Sequence, residues 1–299
     1  MTPIQTLALN NFPDYELIDC GNFQKLERFG KYITIRPEPQ AIWDTKLSME
    51  EWQKLAHVIF ISKSSSSGEW KKLKPMPDNW NIKYQFGDKK AIHFNLALTK
   101  FKHVGIFPEQ CVNWEFIYNK SKNILQQNSN TCNVLNLFAY TGGASLAARA
   151  AGADVWHIDA IKQVVSWANR NMESSGLDNI RWVVEDALKF VKREVKRCKK
   201  YQGIILDPPA FGHGPNGESW KLENQINELL YDVIKLLDTE QHFLILNVYS
   251  LGFSSLIVEN LVQSNLSKNN TKVTAMEIGE IYIPSQQNQK LPLGVYCRF

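Results

Sequence analysis

A chain of 299 residues has room for one large core and a smaller companion, and 44% hydrophobic with 21% charged residues is a globular balance that excludes wholesale disorder. Its 34 Lys and Arg against 30 Asp and Glu give a net charge of +4. That mild excess is compatible with a nucleic-acid partner and too small to select one.

The start, Met1-Thr2-Pro3-Ile4-Gln5, has no basic region ahead of an apolar run. Between residues 15 and 114 the pattern is short, aromatic and broken by turns at Gly30, Pro37, Pro39 and Gly87, with Tyr32-Ile33-Thr34-Ile35-Arg36 and Ile92-His93-Phe94-Asn95-Leu96 as strand-like runs. A small, mainly β domain over 1–118 is expected, with Ser64-Ser65-Ser66-Ser67-Gly68 as a mobile loop. Residues 119–131 are polar and read as a connector or weak helix opening a second domain, 119–299.

Beyond it, strand-like and helix-like segments alternate. Apolar runs at 134–137, 155–158, 180–184, 203–206 and 243–248 read as strands. Helices are expected at 144–151, stopped by Gly152, at 162–174, and at 222–237. Another, after 184, carries Leu188, Val191, Val195 and Cys198 on one face and Lys192, Arg193, Lys196, Arg197, Lys199 and Lys200 on the other. This order demands an α/β fold, a parallel sheet with helices on both faces. Residues 272–278 and 295–299 have no helix between them, so the sheet should close with an antiparallel pair.

In an open α/β sheet, ligands sit beyond the carboxyl ends of the strands. The run Val134-Leu135-Asn136-Leu137-Phe138-Ala139-Tyr140-Thr141-Gly142-Gly143 takes a strand into a turn where two glycines let backbone approach a ligand and permit positive φ. Asp159 ends the second strand, where it can accept both ribose hydroxyls of an adenosine; Asp186 ends the third, where it can meet an adenine amino group. Each alone is as well explained by a tight turn or a helix cap. Their succession on three strands favours a cofactor pocket. Tyr140-Thr141-Gly142-Gly143-Ala144-Ser145 is not G-x-G-x-x-G, so no glycine trio cradles a pyrophosphate, and S-adenosylmethionine fits better than a nicotinamide dinucleotide.

Asp207-Pro208-Pro209-Ala210-Phe211 ends the fourth strand in an acid held by two prolines that restrict φ and remove backbone donors. Such a wall suits methyl transfer, which depends on in-line positioning. Phe211 either stacks on a target base or belongs to the core. Gly212-His213-Gly214-Pro215-Asn216-Gly217 follows as a flexible lid, and His213 is a proton-relay candidate against the plainer reading of an exposed loop histidine. The five cysteines, Cys20, Cys111, Cys132, Cys198 and Cys297, are odd in number and form no Cys-x-x-Cys pair, so neither a disulfide framework nor a metal site is expected. With no stretch near the ~18 apolar residues of a membrane helix, a cytoplasmic, reduced setting without membrane is expected. The oligomeric state is left open.

These motifs resemble the S-adenosylmethionine-dependent methyltransferase family that contains the bacterial 23S rRNA cytosine-C5 and guanine-N7 methyltransferases. The likeness rests on Lys102-His103-Val104-Gly105-Ile106-Phe107-Pro108-Glu109-Gln110, on 135–143, Asp159, Asp186 and Asp207-Pro208-Pro209-Ala210-Phe211, and on Asn247-Val248-Tyr249-Ser250 and Leu291-Pro292-Leu293-Gly294-Val295-Tyr296. It implies a class I, Rossmann-like seven-stranded sheet with a reversed last hairpin. It places Phe138, Tyr140, Thr141, Gly142 and Gly143 around the methionine, Asp159 at the ribose, Asp186 at the adenine, Gln110 closing the pocket, and Asp207 with Pro208 facing the methyl. Cytosine-C5 methylation needs a cysteine that adds to C6, and neither 207–211 nor 247–252 contains one. Methylation at nitrogen on an RNA base, ribosomal by resemblance, is therefore the expectation. Rival readings are a small-molecule or protein methyltransferase, a nicotinamide oxidoreductase, and a non-catalytic RNA-binding protein. Lys71, Lys72 and Lys74, interleaved with Trp70 and Trp80, are the better RNA contacts, whereas 192–200 reads as a solvated helix face.

Overall fold

The computed structural model describes residues 3–63, 67–87, 90–127, 131–249 and 252–299. Of the loop expected at 64–68, residues 64–66 lie outside the described residues and Gly68 begins a strand; Ser250 also lies outside them. The chain forms two units: Met1–Leu7, Val112–Ile281 and Gly294–Phe299 make the larger, and Ala8–Cys111 with Tyr282–Leu293 the smaller.

After β1 (Ile4–Ala8), the smaller unit builds a five-stranded sheet from β2 (Tyr15–Gly21), β3 (Gln24–Phe29), β4 (Tyr32–Pro37), β5 (Val58–Ser62) and β6 (Gly68–Lys72). Asn22 and Phe23, at φ 50° and 61°, make the left-handed two-residue turn whose twist suits a hairpin between β2 and β3. Helix α1 (Met49–Leu55) starts at a reciprocal Ser48–Glu51 capping box and buries Trp52 on Ile18, Leu26 and Ile35. A separate antiparallel pair, β7 (Asn79–Gln85) and β8 (Ala91–Ala97), turns Trp80, Ile82 and Tyr84 inward opposite Ile92, Phe94 and Leu96, as a period of two requires.

In the larger unit, α2 (Cys111–Gln127) leads into β9 (Asn133–Leu137), α3 (Gly143–Ala150), β10 (Asp154–Asp159), α4 (Lys162–Ser174), β11 (Ile180–Val184), α5 (Ala187–Lys196) and β12 (Gly203–Leu206). A short antiparallel hairpin of β13 (Phe211–His213) and β14 (Ser219–Lys221) precedes α6 (Leu222–Lys235), β15 (Phe243–Val248), α7 (Ser255–Lys268), β16 (Glu277–Pro284) and β17 (Lys290–Arg298). The sheet order is β1-β16-β17-β15-β12-β9-β10-β11. Strands β9 to β12 and β15 run parallel, and β17 runs antiparallel to β15. Every residue of β12 and β15 is buried, because helices cover both faces, and such strands read as unbroken apolar runs.

Several expectations need correction. The sheet has eight strands, the eighth being β1, which lies beside β16 where Gly279 has no side chain to strike the Gln5 carbonyl. Residues 119–127 belong to a 17-residue helix whose buried stripe begins earlier, at Trp114, Ile117 and Tyr118. On α5 the buried residues are Ala187, Phe190, Val191 and Glu194, while Cys198 is exposed beyond the helix end. Glu194 tolerates burial because the Tyr201 hydroxyl donates to its carboxylate at 2.8 Å. The expected glycine lid is instead the β13–β14 hairpin.

Candidate active site

Strand order reverses between β9 and β12, and this switch opens a crevice at the carboxyl ends of the strands. Directly after β9, Phe138, Tyr140 and Gly142 adopt φ of 57°, 49° and 95°. Left-handed backbone costs a non-glycine residue about 1–2 kcal/mol, so Phe138 and Tyr140 must be held in place.

Asp159 supplies that hold. Its Oδ2 accepts the Tyr140 N–H and its Oδ1 the Ile161 N–H, each at 2.9 Å. Burial pushes the Asp159 carboxyl above the usual range, and the Ile161, Tyr140 and Ala160 N–H groups pull it back in part. On the other side, the Asn171 amide donates to the Thr141 carbonyl at 2.9 Å. Beneath the turn, Asn136 Nδ2 donates to Ser145 Oγ at 2.9 Å, and Ser145 Oγ meets His157 Nδ1 at 3.0 Å. Burial drives the His157 pKa down to about 3 against a weak upward pull from the Tyr140 backbone, so this relay is neutral at physiological pH.

Of the two glycines only Gly142 takes a positive φ. Gly143 begins α3, where a Cβ would come within 2.7 Å of the Trp114 ring. Phe138 packs its ring on Trp220 at 4.8 Å. Asp186 is the N-cap of α5, and its Oδ1 accepts the Lys189 N–H at 2.9 Å. Near these two acids in sequence stand Ile161 and Val184, aliphatic yet 52% and 41% exposed.

Asp207 follows the last residue of β12. Its Oδ1 accepts the Asn247 Nδ2 from β15 at 2.8 Å. Burial raises its pKa to about 6 despite that donor. The prolines differ: Pro208 is buried, and the exposed Pro209 offers its carbonyl to Trp220 Nε1 at 2.7 Å. Phe211 is 66% exposed and so is not a core residue. His213 is exposed on the hairpin opposite Ser219, and Gln110 ends a turn at Pro108–Gln110 in the smaller unit.

Sequence reasoning missed Asn247 as a partner of Asp207, Trp220 as the link between the Phe138 turn and the proline segment, and the Asn136–Ser145–His157 relay. Each had a signal, a polar residue interrupting an apolar strand or an aromatic in a glycine-rich segment. Of the lysines favoured for RNA, Lys72 pairs with Asp78 at 2.7 Å and Lys74 donates to carbonyls at the end of α1, while Trp80 is buried. Among the described residues no three His, Cys, Asp or Glu side chains gather to hold a metal ion, and no helix is long and apolar enough to cross a membrane.

A family model for S-adenosylmethionine-dependent methyltransferases matches residues 48–262. The chain belongs to that family. A structure of an S-adenosylmethionine-dependent methyltransferase from Agrobacterium tumefaciens is 34% identical, with a TM-score of 0.89 over 100% of this chain and 94% of that one. The ribosomal RNA large subunit methyltransferase K/L of Shewanella frigidimarina is 34% identical over 148 residues, 48% of this chain and 19% of that protein. Its counterpart in Shewanella pealeana is 28% identical over 204 residues, 67% of this chain and 25% of that protein. The chain thus spans a quarter or less of the length of these curated relatives. It is a methyltransferase, and its cofactor is S-adenosylmethionine.

Proposed function

We propose that this methyltransferase methylates a nitrogen of an RNA base, and that the RNA is ribosomal. The observation that carries the reading is Asp207: a carboxyl at the switch point, fixed by Asn247, with a pKa near 6 and an exposed aromatic four residues on. The names of the K/L relatives support the ribosomal substrate. Such a substrate places the reaction in the cytoplasm.

The turn fits the cofactor. Each Asp159 oxygen takes one strong backbone donor in the distances above, which leaves acceptor capacity on both for a ribose diol. Asp186 has one oxygen beyond its capping bond for an adenine amino group, and Ile161 and Val184 offer aliphatic faces to a flat ring. Thr141, Gly142, Gly143, Phe138 and Tyr140 form the turn that would border the methionine, with Pro208 behind the methyl. S-adenosylmethionine supplies an electrophilic methyl on a sulfonium.

Phe211 stacks on the target base and Asp207 accepts its N–H. Bound S-adenosylmethionine would supply the methyl to the nitrogen lone pair and leave as the thioether, and the Asp207 carboxylate would take the proton that the nitrogen releases. A pKa near 6 leaves that carboxylate ionised and ready at pH 7 to 8. His213 is a relay from there to solvent. Covalent C5 chemistry would need a thiolate, and burial pushes the Cys297 and Cys132 thiols up to about 12 and about 11.

The test is transfer of labelled methyl from S-adenosylmethionine into ribosomal RNA from a strain lacking this protein, followed by nucleoside mass analysis. One nucleoside methylated on a base nitrogen is expected. Label in C5-methylcytidine would overturn the nitrogen assignment. No label, with S-adenosylhomocysteine binding intact, would move the acceptor to a protein or small molecule.

A further inference from the structure

Between α5 and the sheet, against Asn133, Trp156 and Arg181 in the amino-terminal halves of β9, β10 and β11 and reaching Val183, lies a cavity of about 380 Å³. Its β10 residue is Trp156, three steps or about 10 Å at ~3.3 Å per residue from Asp159 and on the opposite face of the strand, so this cavity is distinct from the Asp159 turn. Its apolar wall is Trp156, Val183, Phe190 and Tyr201. Its rim carries five cations, Arg181, Arg193, Arg197, Lys199 and Lys200, against one lining acid, Glu194. The basic residues of 192–200 are therefore not all a solvated helix face: four of them converge here with Arg181 from β11.

These cations are oriented rather than loose. Arg181 lies over the Trp156 ring at 4.2 Å and Arg193 over Phe190 at 5.0 Å, and Trp156 meets Tyr201 edge-on at 5.3 Å. Glu194 accepts both Tyr201 Oη and Arg197 Nη1, Glu185 pairs with Arg193, and Asp154 stands 3.9 Å from Arg181. Lys200 donates to the Lys235 and Leu237 carbonyls at the end of α6. Even with all three carboxylates counted, two of the five positive charges are uncompensated. Arg193 Nε is buried with no hydrogen-bond partner, 3.9 Å from Glu194 Oε1, and no side-chain hydrogen bond or ion pair holds the Lys199 ammonium among the described residues. Cations near the end of α5 complement its dipole, but that leaves Arg181, on a different element, unexplained.

We propose that this cavity binds the phosphate of a nucleotide, with Arg181, Arg193, Arg197 and Lys199 as donors. A phosphomonoester carries roughly −1.5 to −2 at neutral pH, which matches the surplus, and planar guanidinium groups donate paired hydrogen bonds to phosphate oxygens. The volume lies in the ~300–1,000 Å³ range of small-ligand sites. The outer face of the Arg181 guanidinium, backed by Trp156, is a platform for a base. The nucleotide comes either free or as a unit of an RNA chain, and the site stands apart from which base is methylated.

The test uses the full chain saturated with S-adenosylhomocysteine, so that the cofactor crevice is blocked, and calorimetric titration with inorganic phosphate, uridine 5′-monophosphate, uridine and a ribosomal RNA fragment. Two variants are compared with the parent: Arg181→Glu with Lys199→Glu, in the cavity, and Lys192→Glu with Lys196→Glu, which changes the same charge on α5 outside it. Melting temperature and S-adenosylhomocysteine affinity check the fold of both. Expected is binding of phosphate or uridine 5′-monophosphate but not uridine, weakened at least tenfold by the cavity variant and little by the other. If RNA affinity alone shows that pattern, the nucleotide is part of an RNA chain. Equal losses in both variants, unchanged binding in the cavity variant, or no binding of any phosphate-bearing probe overturns the site. Failure to methylate RNA with phosphate binding intact would remove the RNA-methylation reading and leave the cavity standing.

Discussion

Asp159 and Asp207 close parallel strands at the same edge of one sheet, yet they are held by opposite means. Asp159 is gripped by main-chain donors, the N–H groups of Tyr140 and Ile161, which lock the strained turn and the carboxylate together. Asp207 has one side-chain donor, Asn247, and burial dominates its acidity. Backbone donors give a fixed bracket suited to holding a ligand; a single amide leaves an acid whose charge is adjustable, which suits proton transfer.

The largest effect that separates the two is expected from Asp207→Asn. Turnover should fall by on the order of 10²–10⁴ if Asp207 accepts the proton, with S-adenosylhomocysteine affinity unchanged. An equal loss of cofactor affinity would merge the two acids into one binding role. Stability gives an independent reading. The folded pKa of about 6 lies above the 3.8 of a free aspartate carboxyl, so the folded state binds the proton more tightly between those values. Stability contributed by the protonated form is therefore lost as pH rises through that window, and the ionised group costs no more than about 3 kcal/mol above it. The Asn variant should melt higher than the parent at pH 8, and the difference should vanish below pH 4.

Asp159→Ala tests the other side. Cofactor affinity should drop about 100-fold, the scale of a lost charged acceptor worth ~3 kcal/mol, and the melting temperature should fall because two N–H groups lose their partner. Turnover at saturating cofactor should suffer less than in Asp207→Asn. If affinity holds, Asp159 serves the turn alone. Phe211→Ala should raise the RNA KM about tenfold, as loss of ~1–3 kcal/mol of base stacking implies, with cofactor affinity intact; an unchanged KM would remove it from the substrate surface.

What was legible in the sequence follows the same division. The buried parallel strands announce themselves as apolar runs, and topology alone puts Asp159, Asp186 and Asp207 at the ligand edge. Strand β1 gave no signal, because five residues pair with a strand at the far end of the chain. The β13–β14 hairpin was hidden in a glycine-rich segment whose strands are three residues long. Glu194 was named on neither face of its helix, and the Tyr201 hydroxyl that makes its burial tolerable lies beyond the helix end. The grip on Asp159 was illegible for a deeper reason: main-chain donors leave no residue-type signature, whereas Asn247, a polar residue inside Leu-Ile-Leu-Asn-Val, does.

The smallest expected effect is the most diagnostic of the contrast. Asn247 donates to Asp207 and lowers its pKa against the pull of burial. Asn247→Ala removes the only side-chain donor on that carboxylate among the described residues, so the ionised form loses stabilisation and the acid limb of the pH–rate profile should move upward from about 6. At pH 8.5, where Asp207 is ionised in both proteins, turnover should differ only a few-fold; near pH 6 the variant should lag further. A profile lowered evenly at all pH values, with its midpoint unmoved, would make Asn247 a packing residue instead. No equivalent variant exists for Asp159, since substituting Tyr140 or Ile161 leaves their N–H groups in place, and its charge state should not follow any one neighbouring side chain.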